Sequence, residues 1–70
     1  MDNTFDSKVI ANINEYINLN NLSIKKIAEE TKIGYHRLWS ILMQSNSIKL
    51  GDYIAICKAC RETFDYFLPN

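Results

Sequence analysis

Apolar residues in the first third of the chain fall at Val9, Ile13 and Ile17, with Ile10 and Tyr16 beside them. That i, i+4, i+8 spacing puts one greasy stripe along a helix, predicted here over residues 5–20 and ended by the poor helix formers Asn20 and Asn21. A second, short helix is predicted over 23–31, with Ser23 as N-cap and Ile24, Ile27 and Ala28 on its inner side. A third spans 35–44, after Gly34 as N-cap, with Leu38, Ile41 and Leu42 inward; the polar run Gln44-Ser45-Asn46 breaks it. A fourth covers 49–59 after Ser47 as N-cap, with Leu50, Ile54 and Cys57 on one face, flanked by Tyr53 and Cys60. A fifth, one or two turns long, covers 63–68 from Thr63 through Phe64, Phe67 and Leu68 until Pro69 stops it. Tyr53 to Cys57 has the composition of a strand, but its apolar residues keep helical spacing. The expectation is an all-α, five-helix domain with no internal repeat or linker.

Size and composition narrow this further. Seventy residues make one domain with a small core, for which a dimer contact or another partner is a natural support. The apolar share, 47%, is that of a globular chain. No run approaches the ~18–20 apolar residues of a membrane span. The opening MDNTFD lacks the basic and apolar regions of a signal peptide, so a cytoplasmic location is expected. Net charge is zero, unlike the basic excess usual in nucleic-acid binders. The charges are not evenly spread, however. Between Leu22 and Leu50, Lys25, Lys26, Lys32, Arg37 and Lys49 stand against Glu29 and Glu30. On either side acids prevail: Asp2, Asp6 and Glu15 against Lys8, then Asp52, Glu62 and Asp65 against Lys58 and Arg61.

Two short helices joined by a tight connector suggest a helix-turn-helix, and IKKIAEETKIGYHRLWSI, Ile24 to Ile41, suits one. Ala28 is small where the second helix crosses the first. Ile33 sits just past the turn and can plug the space beneath both helices, while Leu38 and Ile41 face inward. With these residues in place, Val9 to Leu68 resembles the phage Cro/repressor-type (XRE-like) helix-turn-helix domains. LSIKKIAEETKIGYHRLWSIL is similar to the family's Leu-Ser-Gln-x-x-Leu-Ala-x-x-x-Gly-Val-Ser stretch, and KLGDYIAICKACRETFDYFL to its last two helices. Three positions depart from the pattern. Lys32 stands where the family has its turn glycine, at a left-handed conformation that costs a non-glycine residue roughly 1–2 kcal/mol. Ile24 replaces the glutamine that clamps a phosphate or base, and Leu42 replaces a glutamate that pairs with the first helix.

The resemblance implies a lambda-repressor-like fold with the third helix in the major groove of double-stranded DNA. Tyr35, His36, Arg37, Trp39 and Ser40 would meet base edges. Arg37 can bind guanine bidentately, His36 and Ser40 can donate or accept, and Tyr35 and Trp39 offer apolar surface to thymine methyls. Ser23, Lys25, Lys26, Asn46, Ser47 and Lys49 would meet phosphates, which position the protein without reading sequence. The implied activity is that of a Cro-like transcriptional regulator, a repressor from a phage or mobile element, with the DNA-binding domain as the whole protein. Dimerisation would fall to Phe64, Tyr66, Phe67 and Leu68.

Other chemistries have less in their favour. Cys57 and Cys60 form a C-x-x-C, but zinc needs about four ligands and His36 is the only other candidate, and a redox pair prefers a helix N-terminus. They read as reduced thiols packed in the core. The sequence offers no Ser/His/Asp set, carboxylate pair or Gly-rich phosphate loop, so neither an enzyme nor a cofactor, membrane or small-molecule ligand is expected. The rival function is a protein-interaction module on the same fold, favoured by the neutral charge, Ile24 and the Tyr35/Trp39 pair.

Overall fold

The computed structural model describes residues 4–44 and 47–69. These form four α-helices, α1 (Thr4–Leu19), α2 (Ile24–Thr31), α3 (Tyr35–Met43) and α4 (Leu50–Cys60), and no strand among the described residues. α2 packs on both α3 and α4, and α1 packs on α3. The apolar stripe of α1 does what its spacing dictates: Val9, Ile10, Ile13 and Ile17 are buried against Ile27, Ala28, Leu38 and Leu42. Among the described residues no helix is long and apolar enough to cross a membrane.

Each helix end has a local cause. The Ser23 hydroxyl accepts the Lys26 N–H at 3.0 Å, capping α2 as its position predicts. α1 ends with Asn21 in the left-handed region at φ 53. There the Leu22 N–H bonds the Ile17 carbonyl and the Asn21 N–H the Asn18 carbonyl, the double closure of a Schellman motif. Arg61, φ 59, ends α4 the same way, with Glu62 N–H on the Cys57 carbonyl and Arg61 N–H on that of Lys58. α2 ends at Lys32, φ 66 and ψ 12, the left-handed turn the sequence predicts. Gly34 keeps φ −58 as the N-cap of α3.

Three expectations are corrected here. The fourth helix is capped at Lys49 rather than Ser47, and Lys49 makes no side-chain cap. The preceding loop is instead fixed on α1, whose Asp6 carboxylate takes the Ile48 N–H at 3.1 Å. The buried face of α4 is Asp52, Tyr53, Ile56 and Cys57, so Leu50, expected inside, is 64% exposed. Residues 63–68 form successive turns, closed by Tyr66 N–H on Thr63 O and Leu68 N–H on Asp65 O, and not a helix. Helix nucleation is costly and this segment has only six residues before Pro69. Its backbone is held from outside: Tyr53 Oη donates to the Phe64 carbonyl, and Asn12 Nδ2 to that of Phe67 at 2.8 Å.

Candidate nucleic-acid interface

The turn Lys32-Ile33-Gly34 aims α3 away from α2. Ile33 is buried beneath it, and its N–H is held by Thr31 Oγ1 at 3.2 Å. Leu38, Ile41 and Leu42 anchor the inner side of α3, and Asn14 on α1 fastens its C-terminal end by donating to the Leu42 carbonyl at 2.8 Å. That neutral bond ties α1 directly to the last turn of α3.

With its inner side fixed, α3 presents Tyr35, His36, Arg37, Trp39 and Ser40 to solvent. At 100° per residue, His36 and Ser40 sit at the centre of the open face, with Trp39 and Arg37 on opposite flanks. Met43, which the sequence reading left out, extends the Trp39 flank and is exposed. Its signal was the i+4 spacing from Trp39. The Tyr35 and His36 rings meet edge to face at 5.7 Å.

The described residues expected to hold phosphates fall in three places. Ser23 and Lys25 line a groove with Tyr35 and Met43, so the start of α2 adjoins one flank of α3. Lys26 points the other way, into a groove lined by Glu30, Lys58 and Arg61 between α2 and α4. Ser47 and Lys49 are exposed ahead of α4. Asn46 lies outside the described residues.

On the other flank of α3, Arg37 Nη2 donates to Asp52 Oδ2 at 2.6 Å. The carboxylate is almost enclosed, 12% exposed, while the arginine side chain is 53% exposed. Asp52 stands in the first turn of α4, where the helix dipole favours an anion. Sequence reasoning missed this residue. Its signal was an acid placed between positions that the inner face of α4 needs.

The expected dimer contact divides. Phe67 is 1% exposed, stacked edge-on to Tyr16, Tyr53 and Tyr66, and is corrected to a core residue. Phe64 and Tyr66 remain exposed and Leu68 half-buried. Phe64 shares an apolar groove with Phe5, Ile48 and Leu50.

The groups with displaced proton affinities lie away from α3, around α4. Burial pushes the Tyr53 hydroxyl up to about 12, helped by Cys57 beside it. Burial likewise raises the Cys60 thiol to about 11, helped by Cys57 and Glu62. Tyr16 is raised by burial and by its hydrogen bond to Glu62, 3.1 Å. Both cysteines are free thiols, Cys57 buried and Cys60 half-buried. Such thiols are poor nucleophiles at neutral pH.

No protein-family model, curated protein or solved structure matches this chain.

Proposed function

We propose that this protein is a sequence-specific, double-stranded DNA-binding transcriptional regulator of the Cro/repressor type, with a lambda-repressor-like fold in which turns at 63–68 stand in place of a fifth helix. The observation that carries the reading is the pair α2–α3. A left-handed turn at Lys32 joins two short helices, the second of which leaves its whole outer face open. α3 enters the major groove. Arg37, His36 and Ser40 read base edges, with Tyr35 and Trp39 against thymine methyls. Ser23 and Lys25 at the start of α2, with Ser47 and Lys49 ahead of α4, grip phosphates on either side. The protein acts in the cytoplasm as a homodimer, with half-sites about one helical turn apart. It needs no cofactor.

Fluorescence anisotropy against a random duplex pool tests this. The wild type binds at low salt, and its affinity falls steeply as salt rises. Arg37→Ala weakens binding to a selected duplex by about 1–3 kcal/mol. Lys25→Ala weakens binding to all duplexes alike and reduces the salt slope by about one. Lys26→Ala, in the other groove, has the smaller effect. Failure to bind any duplex at low salt refutes the reading.

One observation favours a second reading, a protein-interaction module. Arg37, the cation on α3, is already paired with Asp52, while Tyr35, Trp39 and Met43 form an exposed apolar stripe. A partner bound there would be captured with little salt dependence.

A further inference from the structure

We propose that Asp52 is a positioning residue for DNA recognition, holding the Arg37 guanidinium in one orientation so that its free edge meets a base, and that it thereby sets how well the protein discriminates between sequences. This rests on the DNA-binding reading of α3. A free arginine on a helix flank samples many rotamers and grips any nearby phosphate. Arg37 instead gives one donor to Asp52 at 2.6 Å. A guanidinium carries five N–H donors in a planar fork, so fixing one edge leaves the other presented in a fixed plane.

The asymmetry of the pair suits this task. Asp52 is 12% exposed and belongs to the first turn of α4, whereas Arg37 is 53% exposed and lies on the open helix. The anchor is therefore rigid and the anchored group accessible. The anchor also carries negative charge close to where a phosphate would lie. That charge opposes loose attachment to arbitrary duplex, and a bidentate contact with the correct base offsets it. Asp52 thus lowers non-specific affinity while sharpening the specific contact.

The test uses the full chain and two duplexes: one recovered by selection from a random pool, and a scrambled duplex of the same composition. Asp52→Asn is expected to bind the scrambled duplex about two- to fivefold more tightly. The ratio of selected to scrambled affinity should fall by about fivefold or more. In an Arg37→Ala background the same substitution leaves that ratio unchanged, because Asp52 acts through Arg37. A purely structural tie between the two helices would lower the melting temperature and leave the ratio of selected to scrambled affinity unchanged. If Asp52→Asn does not fold, Asp52→Ser, which keeps a hydrogen-bond acceptor in the first turn of α4, takes its place. An unchanged ratio, or an equal loss of ratio with and without Arg37, overturns the inference while leaving the DNA-binding reading intact. A wild type that binds neither duplex overturns both.

Discussion

At the scale of single residues, three non-glycine positions among the described residues adopt left-handed backbone: Asn21, Lys32 and Arg61. Asparagine tolerates this conformation well, but lysine and arginine hold their Cβ close to a carbonyl oxygen. Lys32 was legible in the sequence because it occupies the place of a turn glycine between two short helices. Its neighbour Gly34 shows that the nearest glycine need not supply the positive φ. Lys32→Gly should relieve the strain, partly opposed by a looser unfolded chain. The expected net gain is a few tenths to about 1 kcal/mol, read as a higher midpoint in urea or thermal unfolding. A lower midpoint would mean that the unfolded chain's gain in entropy outweighs the strain. The Arg37–Asp52 bond, by contrast, was not legible. Nothing in the local pattern around either residue names the other, fifteen positions apart, and only the packing of both α3 and α4 on α2 brings them together.

At the scale of elements, the bounds of the four periodic segments were legible to within a residue or two, and α1, α2 and α3 bury the stripe that their spacing defines. The failures occur where tertiary contacts outweigh local pattern. On α4 the sequence suggested a face through Leu50, Ile54 and Cys57, flanked by Tyr53 and Cys60; Tyr53 and Cys57 are buried, but with Asp52 and Ile56 in place of Leu50 and Ile54. The helix turns to seat Tyr53 under the C-terminal turns and Asp52 against Arg37. That packing makes α4 sensitive to alkali. Tyr53 and Cys60 hold their protons to about 12 and about 11 in the folded chain, above the ~10 and ~8.5 of free side chains. The unfolded chain therefore releases these protons first. Their stabilising contribution is whole below pH ~8.5 and is lost as pH climbs through the folded values. Melting temperature should fall progressively between about pH 9 and 12. Cys60→Ala should flatten the lower part of that fall, to which the buried Cys57 thiol also contributes, and leave the upper part, due to Tyr53 and Tyr16. An equally steep fall between pH 9 and 11 in Cys60→Ala would remove the thiol from the account.

At the scale of the whole molecule, the sequence revealed an aromatic C-terminal segment but not which rings go inside. Turns have no fixed side-chain period, so neither 3.6 nor 2 could sort Phe64, Tyr66 and Phe67. The fold sends Phe67 into the core and leaves Phe64 beside Phe5 and Leu50 on one apolar groove. On the homodimer reading this groove, not the whole C-terminal segment, is the centre of the contact. A stable interface takes about 800 Å² from each partner, out of a total surface of 4905 Å². Three side chains cannot supply that, so they would form an apolar centre with a polar rim around them. Leu50→Glu tests the arrangement cleanly. Leu50 opens α4 and is 64% exposed, so the change empties no core space, and an acid in the first helical turn is favoured by the helix dipole by about 0.3–1 kcal/mol. The folded monomer should be as stable as before or slightly more so. Two copies, however, would each bring a buried charge to the centre of the contact, which costs several kcal/mol unless it is paired. Sedimentation at micromolar concentration should show a wild-type dimer and a Leu50→Glu monomer with the same helical content. A wild type that stays monomeric to hundreds of micromolar, or a variant that dimerises as before, would remove this groove from the interface.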